Sequence, residues 1–108
     1  MVENITDENY EEVIQSSASL IAYGIGSCVP CAAYDPILEA TSSQFPHIRI
    51  GKAKMHVPGK CREIKKRHQF VTYPTTHLFS QGKLLHSQEG KIEDAELVAL
   101  LSTHFPQG

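Results

Sequence analysis

Ser19-Leu20-Ile21-Ala22-Tyr23-Gly24-Ile25-Gly26-Ser27-Cys28-Val29-Pro30-Cys31 is the stretch on which the fold turns. Ser19 to Ile25 is a continuous apolar run without clear alternation, as expected of a strand covered on both faces. Gly26-Ser27 breaks the run, and a helix is expected to begin at Cys28. Unpaired N–H groups and the helix dipole favour an anion at that position, so the Cys28 thiolate is stabilised. Cys31 falls one turn along the same face, close enough to close a disulfide but more buried. Pro30 suits the first turn, where no N–H is required of it. The asymmetry makes Cys28 the attacking thiol and Cys31 the resolving thiol of a redox-active disulfide. C-x-x-C spacing also occurs in zinc and iron–sulfur sites. A metal site here would need Cys61 and a histidine such as His68, and the chain has no second C-x-x-C or H-x-x-x-H.

Outward from this stretch, Val2 to Ile5 reads as a short edge strand. Thr6 or Asp7 is expected to cap a helix reaching about Ser16, with Tyr10, Val13 and Ile14 as its apolar stripe. The helix from Cys28 carries Ile37, Leu38 and Phe45 inward but contains Pro36. An interior proline removes a hydrogen bond and costs about 3 kcal/mol, so a kink or two separate helices are expected. Ile48 to Met55 reads as a third strand, and Lys60 to Phe70 as a basic helix after Pro58-Gly59. Thr75 to Ser80 and Lys83 to Ser87 form a hairpin across Gln81-Gly82. Ile92 to Phe105 closes the chain as an amphipathic helix, with Leu97, Leu100 and Leu101 inward. The order β-α-β-α-β-α-β-β-α implies an α/β fold, a mixed central sheet of about five strands flanked by four helices.

At 108 residues the chain is expected to be one domain, 1–108, with a genuine core. No apolar run is long enough to span a bilayer. The N-terminus lacks the basic start and apolar block of a secretory signal. Three cysteines, an odd number, favour a reducing compartment, so a cytoplasmic location is expected. Residues 1–16 hold five acids and no base, whereas Arg49 to Arg67 holds eight of the ten bases. The net charge of −2 and the lack of interleaved aromatics make that basic segment a solvated helix face rather than a nucleic-acid site.

Cys28-Val29-Pro30-Cys31, Pro36, Tyr73-Pro74-Thr75, Phe79, Gly82 and Gly90 stand at the spacing of the thioredoxin family, which the chain resembles over nearly its whole length. The resemblance implies a thioredoxin fold, a helix kinked at Pro36 and a cis-proline at Pro74 facing the disulfide. It implies that the Tyr73 backbone pairs with an extended substrate segment beside Pro74, with Val29 and Pro30 on the same docking surface. It also implies a protein-disulfide oxidoreductase without a bound cofactor, acting as a monomer on protein substrates. Electrons would come from a separate reductase or a dithiol. Reduction is the expected direction; an oxidase or isomerase, and a scaffold with weakened catalysis, are the other readings.

The chain departs from the family pattern around the dithiol. Ser27 stands in place of a tryptophan and Val29 in place of a glycine. Ala22 replaces an aspartate that relays the proton when the resolving cysteine attacks. Lys54 is the candidate for the lysine paired with that aspartate, and Asp35 the candidate replacement base, so these two are the candidates for pKa tuning. Cys61 is expected in or before the basic helix as an inert thiol. His77 and His86 are expected to face each other across the hairpin without a role.

Overall fold

A computed structural model describes residues 1–106. Its strands are β1 (Glu3–Ile5), β2 (Ser19–Gly24), β3 (Arg49–Lys54), β4 (Thr75–Ser80) and β5 (Lys83–Glu89). Its helices are α1 (Tyr10–Ile14), α2 (Val29–Gln44), α3 (Arg62–Arg67) and α4 (Asp94–His104). The sheet order is β1-β3-β2-β4-β5, parallel across the first three strands and antiparallel from β2 onward. The apolar run of β2 therefore lies at the centre, and every one of its residues is buried.

Strand alternation divides the core into two layers. Leu20, Ala22, Ile50 and Leu78 face α2 and α4, where they meet Tyr34, Leu38, Leu97 and Leu101. Ile21, Tyr23, Ala53 and Phe79 face α1 and α3, against Tyr10, Val13, Ile14 and Ile64. Gly51 is required where β3 passes β1, because a Cβ there would collide with the Ile5 side chain. The hairpin turn at Gln81-Gly82 has positive φ at both residues, 50° and 83°. That geometry matches the twist of the flanking strands and favours glycine.

The bounds of α1 and α3 depart from the sequence expectation, while of the two forms open to α2 the single helix is the one present. α2 is a single helix of 16 residues with Pro36 inside it, neither split nor interrupted. Pro36 and Ala32 are both exposed, so the carbonyl that loses its partner lies on the side water reaches. The helix expected from Thr6 or Asp7 begins only at Tyr10. Thr6 instead starts a turn, its carbonyl accepting from the Asn9 and Tyr10 N–H groups. Asp7 serves a different helix, because its carboxylate accepts from the N–H groups of Glu63 and Ile64 at the start of α3. α3 is correspondingly short, and Lys60 and Phe70 lie outside it.

Candidate active site

The Cys28–Cys31 pair lies at the junction of β2 and α2. Cys28 is the N-cap of α2, with extended backbone, and Cys31 sits in the first turn. The two sulfurs form a disulfide across a Cα separation of 5.2 Å. Cys28 Sγ accepts a hydrogen bond from the Cys31 N–H at 3.2 Å, so the sulfur occupies the place a capping oxygen usually takes. Such a donor strengthens when the acceptor is anionic, which favours a thiolate at Cys28 once the pair is reduced. Cys31 is 3 % exposed, whereas Cys28 is only half-buried. The two sulfurs of one bond thus differ sharply in access.

The opposite wall comes from the segment entering β4. The Tyr73–Pro74 peptide bond is cis. The Tyr73 carbonyl oxygen lies 3.7 Å from Cys28 Sγ, and Pro74 shares a small void with Cys31, Ala22 and Tyr34. Phe70 stacks on the Tyr73 ring at 6.0 Å. Val29 is 84 % exposed and Val71, two residues before Tyr73, is 82 % exposed. Pro30 is also exposed. Val71 was not a sequence-level candidate, since only its exposure in a non-strand segment marks it.

Beneath Cys31, the side chains differ from the expected set. The parallel register sets Ala22 beside Lys52, not Lys54. Lys52 Nζ binds Asp35 Oδ1 at 2.6 Å. Asp35 stands one turn beyond Cys31 on α2. Lys54, two residues on and at the strand end, is exposed and forms no ion pair among the described residues. Cys28, Cys31, Asp35, Lys52, Lys54 and His56 line one cavity of about 220 Å³. His56 was missed at the sequence level; its imidazole packs on Gly26, at 3.0 Å from where a Cβ would stand. A larger cavity of about 550 Å³, between Asn4–Asn9 and Val57–Lys60, touches neither cysteine.

The thioredoxin family model matches residues 1–103. The chain belongs to the thioredoxin family. It is 30 % identical over 104 residues to a thioredoxin of Chlamydia trachomatis, covering 96 % of this chain and 99 % of that one. It is 32 % identical over 97 residues to a thioredoxin-like protein of Synechocystis, covering 86 % of this chain and 89 % of that one. Among solved structures, thioredoxin f2 of Chlamydomonas reinhardtii superposes with a TM-score of 0.86 at 17 % identity, with full coverage of both chains. The fold is the thioredoxin fold, and the protein is a thiol-disulfide oxidoreductase with a Cys-Val-Pro-Cys pair. Such proteins act on disulfide substrates with the help of a reductant.

The remaining thioredoxin-site candidates lie elsewhere. Cys61 is buried, its sulfur within 3.9 Å and 3.7 Å of the Ile5 and Lys54 carbonyl oxygens, and burial pushes its thiol pKa up. No group of three or more metal-ligating side chains capable of holding an ion occurs among the described residues. His77 and His86 do not face each other. His77 is buried beside Tyr23, while His86 packs near His104 of α4, on the other side of the sheet. Adjacent register positions (His77 opposite Ser87, Leu78 opposite His86) put their side chains on opposite faces. His77 belongs to a hydrogen-bonded chain that runs through Tyr23 and Tyr10 to His68, with links of 3.1, 2.7 and 2.9 Å. No sequence spacing announces this chain, because its members come from β4, β2, α1 and the end of α3.

Proposed function

We propose that the protein works as one thioredoxin-like domain that reduces disulfides of protein substrates, as a monomer in the cytoplasm. The reading is carried by the pairing of an accessible N-cap sulfur at Cys28 with a buried sulfur at Cys31. Cys28 attacks a substrate disulfide and becomes joined to one half of it, releasing the other half as a thiol. Cys31 then attacks Cys28, restoring the intramolecular disulfide and releasing the second thiol. Two electrons pass from the dithiol to the substrate. A separate reductase or a dithiol returns them.

Tyr73 supports the docking role. Its carbonyl lies beside Cys28, where an extended segment could pair with the backbone next to Pro74. Val29 and Pro30 offer exposed apolar contact on the other flank. The absence of an aromatic at Ser27 and the bulk of Val29 narrow the substrates such a surface accepts. Reduction of insulin by the protein with a dithiol donor tests the function. Cys28→Ser should abolish turnover, and Cys31→Ser should hold substrates as mixed disulfides. Wild-type protein that turns over no disulfide with any donor would favour a binding scaffold instead.

A further inference from the structure

Resolution of the mixed disulfide requires the Cys31 thiol to lose a proton in a place that water barely reaches. Burial without a proton acceptor would slow that step, because the thiolate and not the thiol is the nucleophile. β2 supplies no acceptor, since Ala22 stands behind the pair. We propose that Asp35 takes the Cys31 proton through water in the cavity beneath the dithiol, and that Lys52 positions the Asp35 carboxylate for this.

Three observations carry the assignment. Asp35 is four residues after Cys31 in one helix, and residues at that spacing have Cβ atoms about 5–6 Å apart on one face. Cys31 Sγ and Lys52 Cε lie 3.3 and 3.8 Å from a single point, the place a Cβ on Gly24 would occupy. Asp35 Oδ1 is then 2.6 Å from Lys52 Nζ. The shared cavity of about 220 Å³ is wide enough for water to bridge the carboxylate and the sulfur. Gly24 keeps this passage open, because a side chain there would fill the gap between sulfur and lysine.

The other charged groups near Asp35 fit the role less well. Glu3 and Glu39 line the neighbouring cavity with Asp35, Lys52 and Lys54. Glu3 is held by Arg49 at 2.7 Å. Glu39 is one turn further from Cys31 on α2 and exposed. The Tyr34 hydroxyl is bonded to Thr76 Oγ1 at 2.8 Å, and burial raises its pKa to about 12. Lys54 is a cation at the rim. His56, against Gly26, is the rival base.

The step balances without an outside oxidant. The Cys31 S–H proton passes through water to the Asp35 carboxylate, and the Cys31 sulfur attacks Cys28. The Cys28–substrate S–S bond breaks, and the departing sulfur takes the electron pair and then the proton from Asp35. The inference rests on the reduction reading above, so its test separates the two half-reactions.

Reduced protein mixed with a symmetrical aromatic disulfide releases coloured thiol twice, first on Cys28 attack and then on Cys31 resolution. Asp35→Asn should slow the second release roughly 100-fold near pH 6 to 7, the lower end for a lost general base. The deficit should narrow as the pH rises beyond the ordinary thiol range of about 8.5, because a buried thiol then loses its proton increasingly without a carboxylate. The first release should keep its wild-type rate. Asp35→Glu should recover much of the second. Lys52→Met should show the same pH signature more weakly, and it carries the test if Asp35→Asn does not fold. A second release slowed equally at every pH, or not slowed, overturns the relay. So does a pH-selective loss in His56→Gln with none in Asp35→Asn. Wild-type protein that releases one equivalent only would overturn the oxidoreductase reading, and the relay with it.

Discussion

Lowering the pH from 7 to 5 should destabilise the protein through one buried side chain, His77. Burial, reinforced by neighbouring His68, holds the His77 pKa at about 4 against an ordinary 6.5. His77 is 4 % exposed, its ring lies 4.7 Å from the His68 ring, and it hydrogen-bonds the Tyr23 hydroxyl. A depressed histidine pKa means that the unfolded chain binds the proton more readily. The stabilisation is thus complete above about pH 6.5 and drains away as the pH falls toward 4. At about 1.36 kcal/mol per pH unit, the gap is worth about 3 kcal/mol, of which about 2 kcal/mol is gone by pH 5. That is a large share of a typical domain stability of about 5–15 kcal/mol. Burial and Arg67 also lower the pKa of His68, which adds a smaller loss of the same sign. Glu3, held low by Arg49, and Glu11, held low by its hydrogen bond from Gln15 and then by Arg67, contribute below the ordinary carboxylate range of about 4.3 and leave the upper window to the histidines.

The assay is urea denaturation of the oxidised protein at pH 7 and pH 5. His77→Gln keeps a hydrogen-bonding partner for Tyr23 but cannot take a proton in this range. It should lose about 1 kcal/mol at pH 7 through poorer packing, while most of the pH dependence disappears. Equal losses between pH 7 and pH 5 in wild type and His77→Gln would refute the reasoning.

Three further outcomes are expected. Gly51→Ala should cost about 1–3 kcal/mol in urea denaturation, because its Cβ would be driven into Ile5 in the sheet. Asp7→Ala should cost about 1 kcal/mol and speed hydrogen exchange at the Glu63 and Ile64 amides, which lose their capping carboxylate. Val29→Asp, at a site 84 % exposed, should leave stability within about 0.5 kcal/mol of wild type. It should also lower kcat/KM for insulin reduction by roughly five-fold, equivalent to about 1 kcal/mol of lost docking contact.

Much of the fold was legible in the sequence because its signals were local. The apolar run Ser19–Gly24 made a buried central strand, and Gln81-Gly82 marked a two-residue hairpin. The dithiol was legible for the same reason, since a strand, a turn and a helix N-cap are consecutive. Properties carried by pairing were harder to read. Whether Lys52 or Lys54 reaches Asp35 depends on the register of β3 against β2, and two residues on the same face of a strand look alike in sequence. Asp7 carries a helix-capping side chain beside a helical pattern, yet its donors are contributed by a helix far along the chain. The His77–Tyr23–Tyr10–His68 chain assembles from four separate elements, so no spacing rule could find it.

The Asp7 carboxylate and its α3 amides are separated by 56 residues and more along the chain. Asp7 N–H also bonds the Lys60 carbonyl at 2.7 Å, so the same residue fastens the approach to α3 and its first turn. During synthesis, Asp7 emerges long before either partner exists, and α3 lacks its cap until the two ends of this span meet. A six-residue helix is too short to persist alone in water. The basic helix thus depends on tertiary closure for its stability. Cutting or extending the polypeptide near Asp7 would register first as fraying at Glu63, on the far side of the Cys28–Cys31 pair in sequence.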